Sequence, residues 1–253
     1  MDFPARITTA RIKGIKTCDC ETQLKAFLLA AGYGSRLRPL TDTLPKCLLP
    51  IRGIPLLQIW LELCERYGID QVLINVHSHA ELVRSFLETY SGSTKVQVVE
   101  EQQLLGSAGT LVANRKWVDN EPFFWVFYAD VLNKVDFAAM LCVHEARNPV
   151  ATLGVYRVPD PRRCGIVDVA VDGTIREFVE KPAAPSTNLA FAGILIGTPT
   201  LIDMIPSKQP SDIGFDVLPR LAGKMVAYSV SDYLIDIGTM ENYCNAQMSW
   251  PGL

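Results

Sequence analysis

Short apolar runs alternate with segments of helical periodicity through the first half of the chain, and this alternation constrains the fold more than any other feature. Residues 24–30 form a short run that is apolar except for Lys25 and is followed by glycines, and 71–76 and 96–99 are further short, mainly apolar runs. Apolar residues recur at helical spacing over 54–67 and 80–90. Strands that alternate with helices pair in parallel through right-handed crossovers. The sequence therefore predicts an α/β fold with a doubly wound, mainly parallel, Rossmann-like sheet.

The first half continues with expected helices over 107–117 and 140–147 and a strand over 123–130. After residue 147 the pattern changes, and strands follow one another with short turns. The expected strands there are 150–158, 165–171, 173–181, 189–197, 225–230 and 233–238, and the expected helices are 200–205, a segment ending near 223, and 240–250. Asp172-Gly173 is typical of a hairpin turn. We therefore expect one domain over 23–253 after an extension over 1–22. Its mainly parallel half covers about 23–148, and a smaller mixed-sheet half covers about 149–253.

Composition excludes several classes of protein. The 253 residues carry a net charge of −3, whereas a nucleic-acid-binding protein usually has a basic excess. No segment approaches the ~20 apolar residues that a membrane span requires. Neither nucleic acid nor a membrane is therefore an expected partner. The seven cysteines are scattered and odd in number, which argues against a disulfide framework and favours the cytoplasm. Cys18-Asp19-Cys20 lacks the partner pair that a zinc site requires.

A glycine-rich, cationic loop follows the first apolar run, in "LAAGYGSRLRPLTDTLPKCLLPI". Glycines at the end of a parallel strand let main-chain N–H groups approach an anion, and Gly32 and Gly34 suit this role. Arg36 and Lys46 supply positive charge for phosphate oxygens. Leu37 stands where a dinucleotide-binding G-x-G-x-x-G motif requires its third glycine, and Lys46 follows a proline rather than the glycine of a Walker loop. The loop therefore indicates a phosphate site of another kind.

These residues resemble the signature of the sugar-1-phosphate nucleotidylyltransferases, also known as nucleoside-diphosphate-sugar pyrophosphorylases, and in particular the mannose-1-phosphate guanylyltransferase-like members. The same order of motifs continues with "EEQQLLGSAGTL" at 100–111, "FYADV" at 127–131, "FVEKP" at 178–182 and "LIDIGTMENY" at 234–243. The resemblance covers residues 24 to about 249. It implies a fold of the nucleotide-diphospho-sugar transferase type, with a nucleotide-binding first half and a sugar-phosphate-binding second half. We expect no C-terminal β-helix domain.

The resemblance also implies a reaction and a set of site residues. The reaction is the Mg²⁺-dependent transfer of a nucleoside monophosphate from a nucleoside triphosphate to a sugar 1-phosphate, with release of pyrophosphate. Two aspartates at strand ends, Asp130 and Asp236, match the family's metal-binding positions, and carboxylates are the hard ligands that Mg²⁺ prefers. The other expected residues are the catalytic Arg36, Lys46 and Lys181, the nucleotide-binding Leu29, Ala30, Ala31, Gly32, Gly34, Glu101 and Gly106, and the sugar-phosphate-binding Gly165, Glu180 and Lys181.

Substrate identity is left open by the residues. Glu101 stands where the family reads the base, and a carboxylate there can accept paired hydrogen bonds from guanine, which favours GTP, or one bond from uracil or thymine. Glu100 takes this place if the register slips by one residue. Two residues depart from the family pattern at the sugar site: Phe191 stands where asparagine is usual, and Cys164 stands where an aromatic residue is usual. An unusual sugar substrate or a change in packing would explain both departures.

Other activities and assemblies are compatible with the same residues. The alternatives to guanylyl transfer onto a mannose-like hexose are uridylyl, thymidylyl or cytidylyl transfer to another sugar 1-phosphate or to phosphocholine, and a non-catalytic regulatory subunit that binds nucleotide sugars. The sequence also leaves a homodimer open.

Overall fold

A nine-stranded sheet organises residues 23–253, the residues that the structure, a computed structural model, describes. The predicted extension 1–22, with Cys18-Asp19-Cys20, lies outside them. The first elements are β1 Lys25–Leu29, β2 Pro50–Ile51, β3 Ile54–Pro55, α1 Leu56–Arg66, β4 Gln71–Val76, α2 Ala80–Glu88, β5 Lys95–Glu100, α3 Gly106–Ala113, β6 Phe124–Tyr128, β7 Val131–Asn133 and α4 Phe137–Arg147. The rest are β8 Ala151–Arg157, β9 Gly165–Val169, β10 Thr174–Glu180, β11 Leu189–Gly197, α5 Pro199–Asp203, β12 Met225–Ser229, β13 Leu234–Asp236 and α6 Met240–Ser249.

The first four long strands form a parallel sheet in the order β5-β4-β1-β6. The chain runs outward from β1 to β4 and β5 and then returns to β6 on the other side of β1. The strand order therefore reverses beside β1, where Leu29 is the register partner of both Asn75 and Tyr128. Open α/β sheets bind ligands at the carboxyl ends of strands at such a switch point. The prediction of a parallel first half is confirmed.

The predicted mixed-sheet second half is present, but it contributes five of the nine strands, so parallel pairs do not dominate the complete sheet as we expected. Strand β11 joins β6 in antiparallel orientation, and the order continues as β11-β8-β12-β10-β9 with only β8 and β12 parallel. Of the antiparallel pairs in the sheet only β9–β10 joins consecutive strands through a short turn, and the others join strands that are not consecutive in the chain, which a local pattern does not specify. The predicted Asp172-Gly173 turn joins β9 to β10, and Gly173 has a φ of 88°. Strand β9 also pairs with β11 at Ala190 and Ile166, so this half curls back on itself.

Helices cover both faces of the sheet, as the doubly wound prediction requires. Along β1, Ala26 and Leu28 face one layer while Phe27 faces the other, because side chains alternate along a strand. Helices α1, α2, α4 and α6 pack on the first face, where Trp60 stacks on Phe127 with ring centroids 4.8 Å apart. Helices α3 and α5 pack on the second face. No helix within residues 23–253 is both long enough and apolar enough to cross a membrane.

Several elements differ from the sequence prediction. The segment predicted as a helix ending near 223 is a π turn over Ile213–Val217 followed by a 3-10 turn over Leu218–Leu221. Pro219 has no N–H group to donate to a regular helix. The helix predicted over 107–117 ends at Ala113. The last predicted strand, β13, leaves the main sheet and pairs with β7 instead.

Candidate active site

A cleft of about 250 Å³ opens where the strand order reverses. Most of the residues that we expected to bind a nucleotide line it, together with the predicted Lys46 and Asp130. Its walls also contain residues that the motifs did not indicate, including Asn75, Ser107 and Tyr128. The predicted lining residues are Leu29, Ala30, Ala31, Gly32, Lys46, Glu101, Gly106 and Asp130. The switch point therefore holds the nucleotide half of the predicted site.

The two glycines of the cationic loop have different tasks. A Cβ atom on Gly32 would meet no atom within 4 Å, so the backbone there is open to the cleft. Gly34 has a φ of 64°, and a Cβ atom on it would lie 2.9 Å from Thr41 Cγ2. The Thr41 hydroxyl donates a hydrogen bond to the Gly34 carbonyl over 2.9 Å. Gly34 therefore shapes the turn, and only Gly32 offers the close approach that we expected of both.

The two predicted metal-binding aspartates lie side by side, although 106 positions separate them in the sequence. Asp130 directly precedes β7 and Asp236 ends β13, and these strands pair with Asp236 opposite Val131. The Ile237 N–H group donates to the Asp130 carbonyl over 3.0 Å. Burial raises the pKa of Asp236, and the negative charge of Asp130 raises it further. The structure therefore brings two repelling carboxylates to one place.

This pair fits a divalent cation that keeps other ligands. Mg²⁺ is commonly bound through one or two carboxylates, with waters and phosphate oxygens completing its shell. Within residues 23–253 no group of three or more His, Cys, Asp or Glu side chains is arranged to hold a metal. A cation at Asp130 and Asp236 would therefore take its remaining ligands from water and substrate.

Two of the three predicted catalytic cations lie at the same aspartates. Lys46 Nζ is 2.7 Å from Asp130 Oδ2, and its side chain is only 15% exposed. The Gly238 N–H group donates to Asp236 Oδ1 over 2.5 Å, and a Cβ atom on Gly238 would lie 3.0 Å from Arg36 Nη2. Arg36 is exposed and does not line the cleft itself, but its guanidinium reaches the Asp236 end of the pair. The charges of Arg36 and Lys46 both act against the rise in the pKa of Asp236.

Glu101 faces inward and is only 5% exposed, whereas Glu100 pairs with Arg84 on the surface. The register slip is therefore excluded. Oε1 of Glu101 accepts hydrogen bonds from Asn75 Nδ2 over 2.9 Å and from Thr110 Oγ1 over 2.5 Å. Oε2 accepts one from the Leu105 N–H group over 3.0 Å. Paired acceptance from guanine, as we expected it, requires a free lone pair on both oxygens, and only Oε2 retains one. Glu101 can accept one more hydrogen bond in this arrangement.

The partners of Glu101 were missed by the sequence analysis, although Asn75 left a signal. It is a polar residue near the end of an otherwise apolar strand, and it is 4% exposed. Its side-chain oxygen accepts a hydrogen bond from the Ala30 N–H group over 2.7 Å. Asn75 therefore ties the start of the cationic loop to Glu101.

The predicted sugar-phosphate residues form a second cluster, on β9 and β10. Gly165 and Glu180 are register partners, and a Cβ atom on Gly165 would lie 2.6 Å from Glu180 Oε2. Burial raises the pKa of Glu180. Lys181 has a φ of 49° and donates its N–H to the Cys164 carbonyl over 3.0 Å, and its Nζ lies 3.8 Å from Glu180 Oε1. Its side chain is 56% exposed, so solvent and ligands can reach it.

Cys164, one of the departures from the family pattern, belongs to the second cluster, where its carbonyl accepts the Lys181 N–H group. Burial raises the pKa of its thiol, and the charges of Asp236 and Glu180 raise it further. The other departure, Phe191, packs edge-on against Tyr128 with ring centroids 5.8 Å apart. Its ring also lies 6.3 Å from that of Phe178. Phe191 therefore belongs to an aromatic cluster with Tyr128, which lines the cleft, and Phe178, which lies on β10.

A cationic loop and a carboxylate pair at the switch point of an α/β sheet are features that suit phosphate groups. Residues 25–251 match the family model described as nucleotidyl transferase, and the chain belongs to this family. The resemblance in the sequence is confirmed.

Relatives with curated names are similar over most of this chain. It is 32% identical to a probable mannose-1-phosphate guanylyltransferase 2 of Oryza sativa subsp. japonica over 87% of this chain. It is 34% identical to a UTP–glucose-1-phosphate uridylyltransferase of Synechocystis sp. over 88% of this chain. The chain spans 63% and 62% of the lengths of these two relatives.

Solved structures share the fold. HddC from Yersinia pseudotuberculosis, complexed with GMP-PN, matches 90% of this chain and all of its own with a TM-score of 0.75 at 24% identity. A putative glucose-1-phosphate thymidylyltransferase from Bacillus anthracis matches 89% of this chain and 94% of its own with a TM-score of 0.79 at 24% identity. The nucleotide-diphospho-sugar transferase type of fold is therefore established, with a mixed sheet.

Proposed function

We propose that the chain transfers a nucleoside monophosphate from a nucleoside triphosphate to a sugar 1-phosphate and releases pyrophosphate. The observation that carries this proposal is the meeting of Asp130 and Asp236 beside Lys46 and Arg36 at the rim of the cleft. Lys181 supports it from the other cluster, as an exposed cation within reach of a second phosphate. A reaction between two anionic substrates requires alignment and charge neutralisation more than covalent help from the protein.

Each residue has a task in this reaction. The open backbone at Gly32 and the charges of Arg36 and Lys46 hold the triphosphate, and Lys181 holds the phosphate of the sugar. Glu180 accepts hydrogen bonds from sugar hydroxyls. An oxygen of the sugar phosphate forms a bond to the α-phosphorus while the bond from that phosphorus to the leaving pyrophosphate breaks. No proton has to move for these bonds to balance.

We propose Mg²⁺ as the cofactor, held by the carboxylates of Asp130 and Asp236. Two oxygen ligands that repel each other in a half-buried place suit a hard divalent cation. When bound, the ion would neutralise the charge that accumulates on the phosphates.

GTP and a mannose-like hexose 1-phosphate are the substrate pair that we propose first. The similarity to guanylyltransferases that act on mannose 1-phosphate supports this pair. The uridylyltransferase relative has a similar sequence identity to this chain, so we propose UTP and glucose 1-phosphate as the second substrate pair. The free lone pair of Glu101 Oε2 fits guanine N1–H and uracil N3–H equally well. Thymidylyl and cytidylyl transfer, and transfer to phosphocholine, follow as further candidates.

A cytoplasmic location and a homodimer belong to the same proposal. The five cysteines of the described residues are all free, which fits a reducing compartment. A homodimer stays a prediction that a sedimentation measurement tests.

The test is pyrophosphate release with each nucleoside triphosphate, combined with a panel of sugar 1-phosphates and phosphocholine, at saturating Mg²⁺. We expect release with one pair and its loss in Asp130→Asn, which removes a charged ligand without changing the size of the side chain. Asp119→Asn is the matched control, because Asp119 pairs with Arg115 on the surface. Absence of release with every pair would reject the activity. Tight binding of a nucleotide sugar by calorimetry in that case would support the non-catalytic alternative.

A further inference from the structure

One segment, residues 211–216, touches both clusters of the site. At its start, the Ser211 carbonyl accepts hydrogen bonds from the N–H groups of Ala108 over 3.0 Å and Gly109 over 3.3 Å. The Ser211 N–H group donates to the Leu105 carbonyl over 2.9 Å. These bonds attach the segment to the first turn of α3, beside Gly106 in the wall of the cleft. The segment therefore begins as part of the nucleotide side.

The next residue, Asp212, divides its carboxylate between two tasks. Oδ1 accepts hydrogen bonds from the N–H groups of Gly214 over 2.8 Å and Phe215 over 3.0 Å, which caps the turn that follows. Oδ2 accepts a hydrogen bond from Ser107 Oγ over 2.8 Å. Ser107 lines the cleft, and its hydroxyl also accepts a bond from the Ile213 N–H group over 2.8 Å. One side chain thus joins the cleft wall to the capped turn.

The capped turn presses on the sugar-phosphate cluster. A Cβ atom on Gly214 would lie 2.5 Å from Glu180 Oε2, so the backbone of the turn directly backs that carboxylate. Phe215, which is 56% exposed, lies under Lys181 with its ring centroid 5.4 Å from Nζ. A cation over an aromatic face is held there by the ring quadrupole. Any shift of the turn therefore moves the surroundings of Glu180 and Lys181 together.

We propose that Asp212 is a positioning residue that couples the nucleotide pocket to the sugar-phosphate cluster through its hydrogen bond with Ser107. The inference rests on the proposed function, since it takes a nucleoside triphosphate and a sugar 1-phosphate as the two ligands. A nucleotide in the cleft restrains Ser107, and Ser107 then restrains the turn that backs Glu180 and carries Phe215. Binding of one substrate strengthens binding of the other by the same factor, because coupling between two sites is reciprocal.

Two substitutions separate the coupling from the cap. Asp212→Asn keeps an oxygen for the N–H groups of Gly214 and Phe215, but it replaces the charged acceptor of the Ser107 hydroxyl with an amide nitrogen that can only donate to it. Ser107→Ala removes the hydroxyl, and with it both this bond and the acceptor of the Ile213 N–H group. Asp172→Asn is the matched control, because Asp172 caps the turn at the far end of β10 with bonds from Thr174 N and Oγ1.

We expect both test variants to raise the KM of the sugar 1-phosphate roughly tenfold, as the loss of one hydrogen bond to a charged group does. Their kcat should fall less than about threefold, because the residues at the transferred phosphorus are unchanged. Ser107→Thr, which keeps a hydroxyl, should recover most of the lost affinity. Asp172→Asn should keep wild-type constants. Thermal unfolding of each variant shows whether the fold is retained.

Calorimetry separates this inference from the proposed function. Binding of sugar 1-phosphate is measured with and without a triphosphate analogue that cannot be cleaved between its α- and β-phosphates. If the wild-type protein turns over no substrate pair, the proposed function fails, and the calorimetric coupling still decides the role of Asp212. Coupling in the wild-type protein that is lost in Asp212→Asn and Ser107→Ala supports the inference. Absence of coupling in the wild-type protein, or wild-type coupling and KM in both variants, overturns it.

Discussion

Gly106 and Gly32 both line the cleft, but alanine at Gly106 should lower the stability of the protein, whereas alanine at Gly32 should change only ligand binding. Gly106 has a φ of 78°, and a Cβ atom there would lie 2.2 Å from the Ser211 carbonyl oxygen. A Cβ atom on Gly32 would meet nothing within 4 Å. The first substitution should therefore damage the fold and the cleft, and the second should affect only what enters the cleft.

The cost at Gly106 can be estimated from its two parts. An alanine in the left-handed region costs about 1–2 kcal/mol. The Ser211 carbonyl must also move, which breaks its hydrogen bonds to Ala108 and Gly109 at about 1 kcal/mol each. We therefore expect Gly106→Ala to lower the free energy of unfolding by about 3–4 kcal/mol. Gly32→Ala should leave it within about 0.5 kcal/mol of the wild-type value.

Urea unfolding, monitored by tryptophan fluorescence, measures the free energy of unfolding. Steady-state kinetics measures the KM of the triphosphate. We expect Gly32→Ala to raise that KM, because its methyl group occupies the space where a phosphate would meet the backbone. A loss of less than about 1 kcal/mol in Gly106→Ala would refute the contact with Ser211. A wild-type KM in Gly32→Ala would refute the phosphate site at the cationic loop.

Three further predictions follow from other parts of the structure. Burial lowers the pKa of His144 from 6.5 to about 4, so the unfolded state binds a proton that the folded state refuses. The free energy of unfolding should therefore fall by up to about 1.4 kcal/mol per pH unit as the pH drops from 6.5 towards 4, and His144→Asn should remove this loss; an unchanged slope in that variant would contradict the prediction. Gly238→Ala would place a Cβ atom 2.7 Å from Asp236 Oδ1, so turnover should fall while the urea midpoint stays near wild type; full activity would contradict this geometry. Burial raises the pKa of Cys47 to about 12, so a thiol reagent at pH 8 should label exposed Cys142 and spare Cys47 until the protein unfolds, and equal labelling rates would be the contrary result.

The sequence predicted those parts of the site that depend on local pattern. An apolar strand followed by a polar residue placed Asp130 at the carboxyl edge of the sheet, and the glycines after β1 marked the loop that enters the wall of the cleft. The two halves of the chain also followed from their patterns, because helical spacing and short turns produce different connections between strands.

What the sequence did not predict depends on contacts between distant residues. The sequence of β13 has the same apolar pattern as the other strands. Nothing in it indicates that β13 pairs with β7 outside the main sheet, and this pairing is what brings Asp236 next to Asp130. The number of hydrogen bonds that Glu101 can still accept depends on Asn75 and Thr110, which lie on other elements and already donate to it. Asp212 caps a turn that also makes hydrogen bonds with Ser107, a residue of α3.

The central claim is that Asp130 and Asp236 bind one divalent ion together. Electron paramagnetic resonance with Mn²⁺, in the presence of a nucleoside triphosphate, measures this directly in Asp130→Asn, Asp236→Asn and the double variant. We expect each single variant to lose at least about tenfold in affinity, and the double variant to lose far less than the product of the two. Wild-type affinity in either single variant, or losses that simply multiply, would contradict a shared ion.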